Sequence, residues 1–123
     1  MSQDLLFFSP NFLRVSRYPG AEPMWKVIPT RDENGKLLSD FMMLIPSLRD
    51  QTPLSIQAIL NTLANVLTQH RHVRFVNVNV ALNLLWVSHL SLPGAGLEIA
   101  GHIQDSVPEA LLIAQKLGAK SDV

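Results

Sequence analysis

The chain has 123 residues, ten Lys or Arg against ten Asp or Glu, four His and no Cys; 47% of it is hydrophobic and 16% charged. That length suits a single domain, residues 1–123, whose core needs no metal or disulfide staple. Zero net charge argues against general nucleic-acid binding and a polybasic membrane anchor, and the absence of Cys excludes disulfides, a thiol nucleophile and Cys-ligated metals.

Asp4 comes early, and Ser9 and Pro10 interrupt the apolar residues Leu5 to Phe8. The start therefore lacks the positive region and the longer apolar run of a secretory signal, and a cytoplasmic protein is expected. Phe12 to Tyr18 alternates, with Leu13 and Val15 on one face and Arg14 and Ser16 on the other, which predicts a first strand. Pro19-Gly20-Ala21-Glu22-Pro23 follows as a loop.

Met24–Thr30 and Lys36–Ile45 flank Arg31-Asp32-Glu33-Asn34-Gly35. Asn-Gly is the favoured pair for a type I′ turn, because both central residues need positive φ. A turn centred there sets Glu33 against Lys36, Val27 against Met42 and Trp25 against Leu44. Pro29 cannot donate to a ladder, so the Trp25 strand is expected at an edge.

Thr52 and Pro53 read as the N-cap and first residue of a helix. From Leu54 to Gln69, the residues Ile56, Ile59, Leu60, Leu63 and Leu67 recur at helical spacing. The segment has no charge, so most of its surface is expected to be covered. Val73–Val80 and Leu84–Leu92 alternate as two strands. Their link, Ala81-Leu82-Asn83, lacks Gly and Pro, so a hairpin and one long bent strand are both open.

Residues 75–97 carry no formal charge and are numerous enough to span a bilayer. Asn77, Asn79, Asn83, Ser88, His89 and Ser91 punctuate them, however, and Asn is expensive in hydrocarbon. No membrane span is expected.

Pro93-Gly94-Ala95-Gly96 leads into a helix over Leu97–Gln104, with Leu97, Ala100 and Ile103 on one face. Ser106 with Glu109 three residues on forms a capping box, and Pro108 suits an early helical position. Local signals thus favour a further helix over Val107–Leu117. The alternative is a buried final strand at Ala110–Ala114.

Either way the class is α+β: an antiparallel sheet with two or three helices, preceded by N-terminal strands that extend it or cover its other side. The strand alternative gives a β-α-β-β-α-β order, that of a ferredoxin-like fold. That architecture does not imply a function.

Four features could carry chemistry. If His70, His72 and Arg74 enter a strand they share a side, and with His89 they outline a metal site. No carboxylate lies between residues 51 and 97 to complete it, so no metal is expected. Glu98, His102 and Asp105 would share one helix face, where a carboxylate beside an imidazole can make a general base; the plainer reading is a solvated face. Gly94 and Gly96 at a helix start could cradle an anion, or could simply allow a tight turn.

The fourth feature is apolar excess. Leu84, Trp86, Leu90 and Leu92 share one strand face, and Leu85, Val87 and His89 the other, so both faces should be covered. The surplus points to a homo-oligomer, often a two-fold dimer; the alternative is that the chain's own N-terminal segment, Leu5 to Phe12, covers it.

The leading expectation is a self-associating module that binds a partner or small ligand without catalysis and without a cofactor. The alternative is a small oligomeric ferredoxin-like enzyme. Its pocket would be lined by His89, His102 and Asp105 and walled by Trp86.

Overall fold

The alternating stretches form strands, and the stretches of 3.6-residue period form helices. A computed structural model describes residues 5–7, 12–16 and 30–116. The strands are β1 (Leu5–Phe7), β2 (Phe12–Ser16), β3 (Leu38–Leu44), β4 (Val73–Asn79), β5 (Leu84–Leu90) and β6 (Leu111–Lys116). The helices are α1 (Pro53–Leu67) and α2 (Ala95–Ser106). They form an α+β fold with one sheet in the order β1-β2-β4-β5-β3-β6. Within it β4, β5, β3 and β6 are antiparallel throughout, and β1 and β2 extend this unit, with β2 parallel to β4. Among the described residues no helix is long and apolar enough to cross a membrane.

Thr52 caps α1, its hydroxyl accepting from the Ser55 amide at 3.1 Å, with Pro53 in the first turn. The apolar stripe of α1 buries Ile56, Leu60, Leu63, Ala64 and Leu67, and α2 buries Ala95, Gly96, Ile99, Ala100 and Ile103. Both stripes join a core with Phe41 and Met43 of β3, Val73, Val76 and Val78 of β4, and Leu85 and Val87 of β5.

The expectation that an uncharged α1 would be mostly covered does not hold. Gln57, Asn61 and Asn65 form an exposed ridge one turn apart, and Gln57 donates to Asn61 at 3.0 Å. Neutral amides serve here as a solvent face.

The link between β4 and β5 is a tight hairpin. A 3-10 turn over Val80–Leu82 connects them, with Asn83 in the left-handed region at φ 61°. Asn79 accepts from the Leu82 amide at 3.1 Å, and Asn83 accepts through its side chain from the Arg49 amide at 2.7 Å. Two asparagines do what Gly or Pro would otherwise do, since Asn tolerates positive φ and bonds to nearby backbone.

Two expectations are corrected. First, Leu44 pairs with Leu84 and Leu111, and Met42 with Trp86 and Ala114. Both edges of β3 are occupied there; the expected pairs of Val27 with Met42 and Trp25 with Leu44 fall on residues 24–29, which lie outside the described ones. The turn itself is one residue out of the expected register. Arg31 bridges Leu37, and the Asp32 amide bonds to the Lys36 carbonyl at 2.8 Å. The Gly35 amide donates to the Asp32 carbonyl, and only Gly35 of the central pair takes positive φ, at 81°. The Asp32 carboxylate accepts from the amides of Asn34 and Lys36, and the Lys36 bond foremost holds its pKa below the ordinary value. This local bonding selects a three-residue tip over the two-residue turn.

Second, the helix expected over Val107–Leu117 gives way to strand β6 at Leu111–Lys116; Leu117 lies outside the described residues. Ser106 is the last residue of α2, so it cannot cap a following one. The Val107 amide still bonds back to Ile103 at 2.7 Å, Pro108 follows the C-cap, and the Gln104 side chain donates to the Ala110 carbonyl at 3.0 Å. Leu111 and Leu112 then pair with Leu44 and Met43 of β3. The open edge of β3 outweighs the capping signal, and the strand is not the buried one expected: Leu112 is half-buried, while Leu111, Ile113 and Ala114 are exposed.

Candidate functional site

The sequence candidates fall into two places around α2 and a third, Trp86, on the opposite face of the sheet. His89, at the end of β5, points to the helix-covered side and is 1% exposed. Its Nδ1 lies 2.8 Å from the Leu90 carbonyl oxygen, which fixes the tautomer with the proton on Nδ1. Its Nε2 is buried without a hydrogen-bond partner among the described residues. The ring packs tilted against Phe41, centroids 5.8 Å apart. Burial pushes the imidazole below its ordinary pKa; the Leu90 carbonyl and Asp40 pull the other way, and His72 adds to the lowering. His89 is thus a neutral group under α2.

Gly96 explains how α2 can lie so close. A Cβ there would meet Gln115 Nε2 at 2.9 Å and His89 Nε2 at 3.1 Å. Gly94 caps the helix start with φ 74°. One glycine serves the turn and the other a close approach, so geometry accounts for both. Beside them Ser39 donates to Ser91 at 2.8 Å.

Trp86 is half-buried on the opposite face of the sheet from His89, across from Met42 and Asn77. Strand alternation decides this, three positions away on β5. Leu84 shares its face and is also half-buried, so the second face of β5 is less completely covered than the first.

His102 meets neither His89 nor Trp86 as a partner. Its Nδ1 lies 2.7 Å from Nε2 of His70, with ring centroids 4.7 Å apart and planes at 37°. His70 leaves the end of α1, which packs alongside α2. Partial burial pushes the His70 pKa down, followed by the charge of His102; Glu98 raises it and His72 lowers it further. Asp105 is exposed in the last turn of α2. Trp86, His89, His102 and Asp105 therefore do not converge on one cavity.

The His70, His72 and Arg74 grouping is also corrected. β4 begins only at Val73, so strand alternation does not order the preceding histidines. Arg74 falls at a bulge and donates to the Arg71 carbonyl at 2.6 Å, with its Nε 4.0 Å from the Asp32 carboxylate. Among the described residues no group of three His, Cys, Asp or Glu is arranged to hold a metal.

The pairing of His70 with His102 was missed in the sequence because the two are 32 residues apart and lie on different elements. Only the knowledge that α1 and α2 cover the same side of the sheet could have suggested it. No protein-family model, curated protein or solved structure matches the chain.

Proposed function

We propose that the chain is a small cytoplasmic module that self-associates and binds a partner or small ligand without catalysis, on a ferredoxin-like core. Support for the core comes from two split units. β5 lies between β3 and β4, which α1 connects, and β3 lies between β5 and β6, which α2 connects.

The observation that carries self-association is strand β6, whose outer edge pairs with no strand among the described residues. The far edge, β1, has only three residues, whereas β6 has six and no charge or Pro before Lys116. Proteins usually blunt a free edge with such residues. Ile113 sits at the register shift against β3, unpaired and 51% exposed, and Leu111 is 49% exposed. Antiparallel pairing of β6 with its copy across a two-fold axis joins two sheets and covers these side chains.

Light scattering coupled to chromatography tests this. The expected result at micromolar concentration is twice the chain mass of 13.7 kDa. Ile113→Lys should return the monomer mass with an unchanged circular dichroism spectrum. A strictly monomeric wild type, or a dimer indifferent to Ile113→Lys, overturns the proposal.

A further inference from the structure

Independently of self-association, we infer that His70 and His102 form a two-imidazole site for a divalent transition-metal ion of the zinc and copper class. The bond between His102 Nδ1 and His70 Nε2, at 2.7 Å, aims two ring nitrogens at one point between them. In the free protein that point holds a proton, carried by one ring and accepted by the other. Zinc binds imidazole nitrogen at about 2.0–2.1 Å, which sets two ligands of a tetrahedron about 3.3 Å apart. To reach that spacing the rings separate by about 0.6 Å, and each turns its nitrogen lone pair off the N–N line so that the two converge on the ion.

Three features favour the ion. His102 is exposed and His70 half-buried, so an ion can reach the pair from solvent. The two side chains come from separate elements, the exit of α1 and the middle of α2, whose packing sets the rings in advance. Glu98, one helical turn before His102, adds a negative charge whose effect reaches His70. His72 opposes it as a nearby positive group when protonated. With two protein ligands, water fills the remaining positions. Binding at the two facing nitrogens shifts the shared proton, by exchange with solvent, to the far nitrogen of the ring that carried it; both rings stay neutral, and a proton is released only where one ring was an imidazolium beforehand.

The other histidines do not compete as a pair, because His89 Nε2 is buried beneath Gly96.

The test uses the full chain and the metal alone. Calorimetric titration with Zn2+ should give one ion per chain. Electron paramagnetic resonance with Cu2+ should show ligation by two nitrogens, since copper tops the affinity series for such ligands. His70→Asn and His102→Asn should each weaken Zn2+ binding by about tenfold or more, and the double variant by little beyond either single one. Glu98→Gln should weaken it by roughly twofold to fivefold. His72→Asn serves as the control and should not weaken binding, since His72 supplies no ligand and only opposes the ion. Zn2+ should also raise the Tm of the wild type but not that of His102→Asn, a readout that needs both variants only to be folded. Absence of a stoichiometric site, or affinity that His102→Asn leaves intact, overturns the inference.

Discussion

His89 and His102 both border α2, on opposite terms. His89 is sealed below the helix start, bonded to the Leu90 carbonyl and crowded by Gly96. His102 stands in solvent and bonds only to another imidazole among the described residues. The contrast shows that an unpartnered nitrogen is not in itself a site. Under α2 the free nitrogen faces a wall of backbone, and its surroundings hold it neutral. Between α1 and α2 the nitrogens face each other and water, where a proton or a cation can be exchanged.

The sharpest way to break this contrast is to add bulk under α2. Gly96→Val should destabilise the fold by about 1–3 kcal/mol, measured by chemical denaturation. Gln115 can swing aside because it is exposed, but the His89 ring is pinned by Phe41 and the Leu90 carbonyl. The cost should therefore shrink in a His89→Ala background, where the ring is gone. Equal costs in the two backgrounds would show that the glycine is needed for some other reason.

The second effect is a pH dependence. In the native state His89 takes up a proton less readily than its ordinary value of 6.5, burial being the main cause. Above that value both native and unfolded forms are neutral and His89 contributes no slope. As pH falls below it, the unfolded chain binds a proton that the native state resists. Stability therefore drops, by at most about 1.4 kcal/mol per pH unit from this group, until the native imidazole itself titrates. Asp40 and the Leu90 carbonyl soften the drop and His72 steepens it; Phe41, Gly96 and Gln115 bring no charge. His70 adds a slope of the same sign, so the measurement is a comparison of unfolding free energies with His89→Leu between pH 7.5 and 5, roughly the span of the titration. The His89→Leu curve should be flatter. Parallel curves would place the ring in contact with water.

Much of the frame was legible because local chemistry and tertiary need agreed. Thr52 and Pro53 open α1 as their types require, and the stripe from Ile56 to Leu67 is the buried one. Where the two conflicted, tertiary need prevailed. Ser106 and Glu109 spell a helix start, yet Leu111 and Leu112 complete the edge of β3. At Asn34-Gly35 one local signal overrode another: the pair spells a two-residue turn, but the Asp32 carboxylate gathers the amides of Asn34 and Lys36 into a different tip. The site was less legible than the fold. Alternation placed Trp86 and His89 back to back, which bears directly on the shared pocket expected of them. The meeting of His70 and His102 depends on how two helices lie together, which no local pattern encodes.

The smallest effect concerns that surface pair without metal. His102→Asn removes a hydrogen bond between two solvent-accessible rings and leaves no buried group unsatisfied. Such a bond exchanges with water at little net gain, so the loss of stability should be no more than about 1 kcal/mol. Chemical denaturation in the presence of a chelator measures it. The value matters because it separates two roles for the same contact. A small loss means that α1 and α2 are held together by Leu63, Ile99, Ile103 and their neighbours, leaving the imidazoles free to serve a ligand. A loss approaching the cost of Gly96→Val would instead make the histidine pair a structural clasp, and the contrast between the two sides of α2 would disappear.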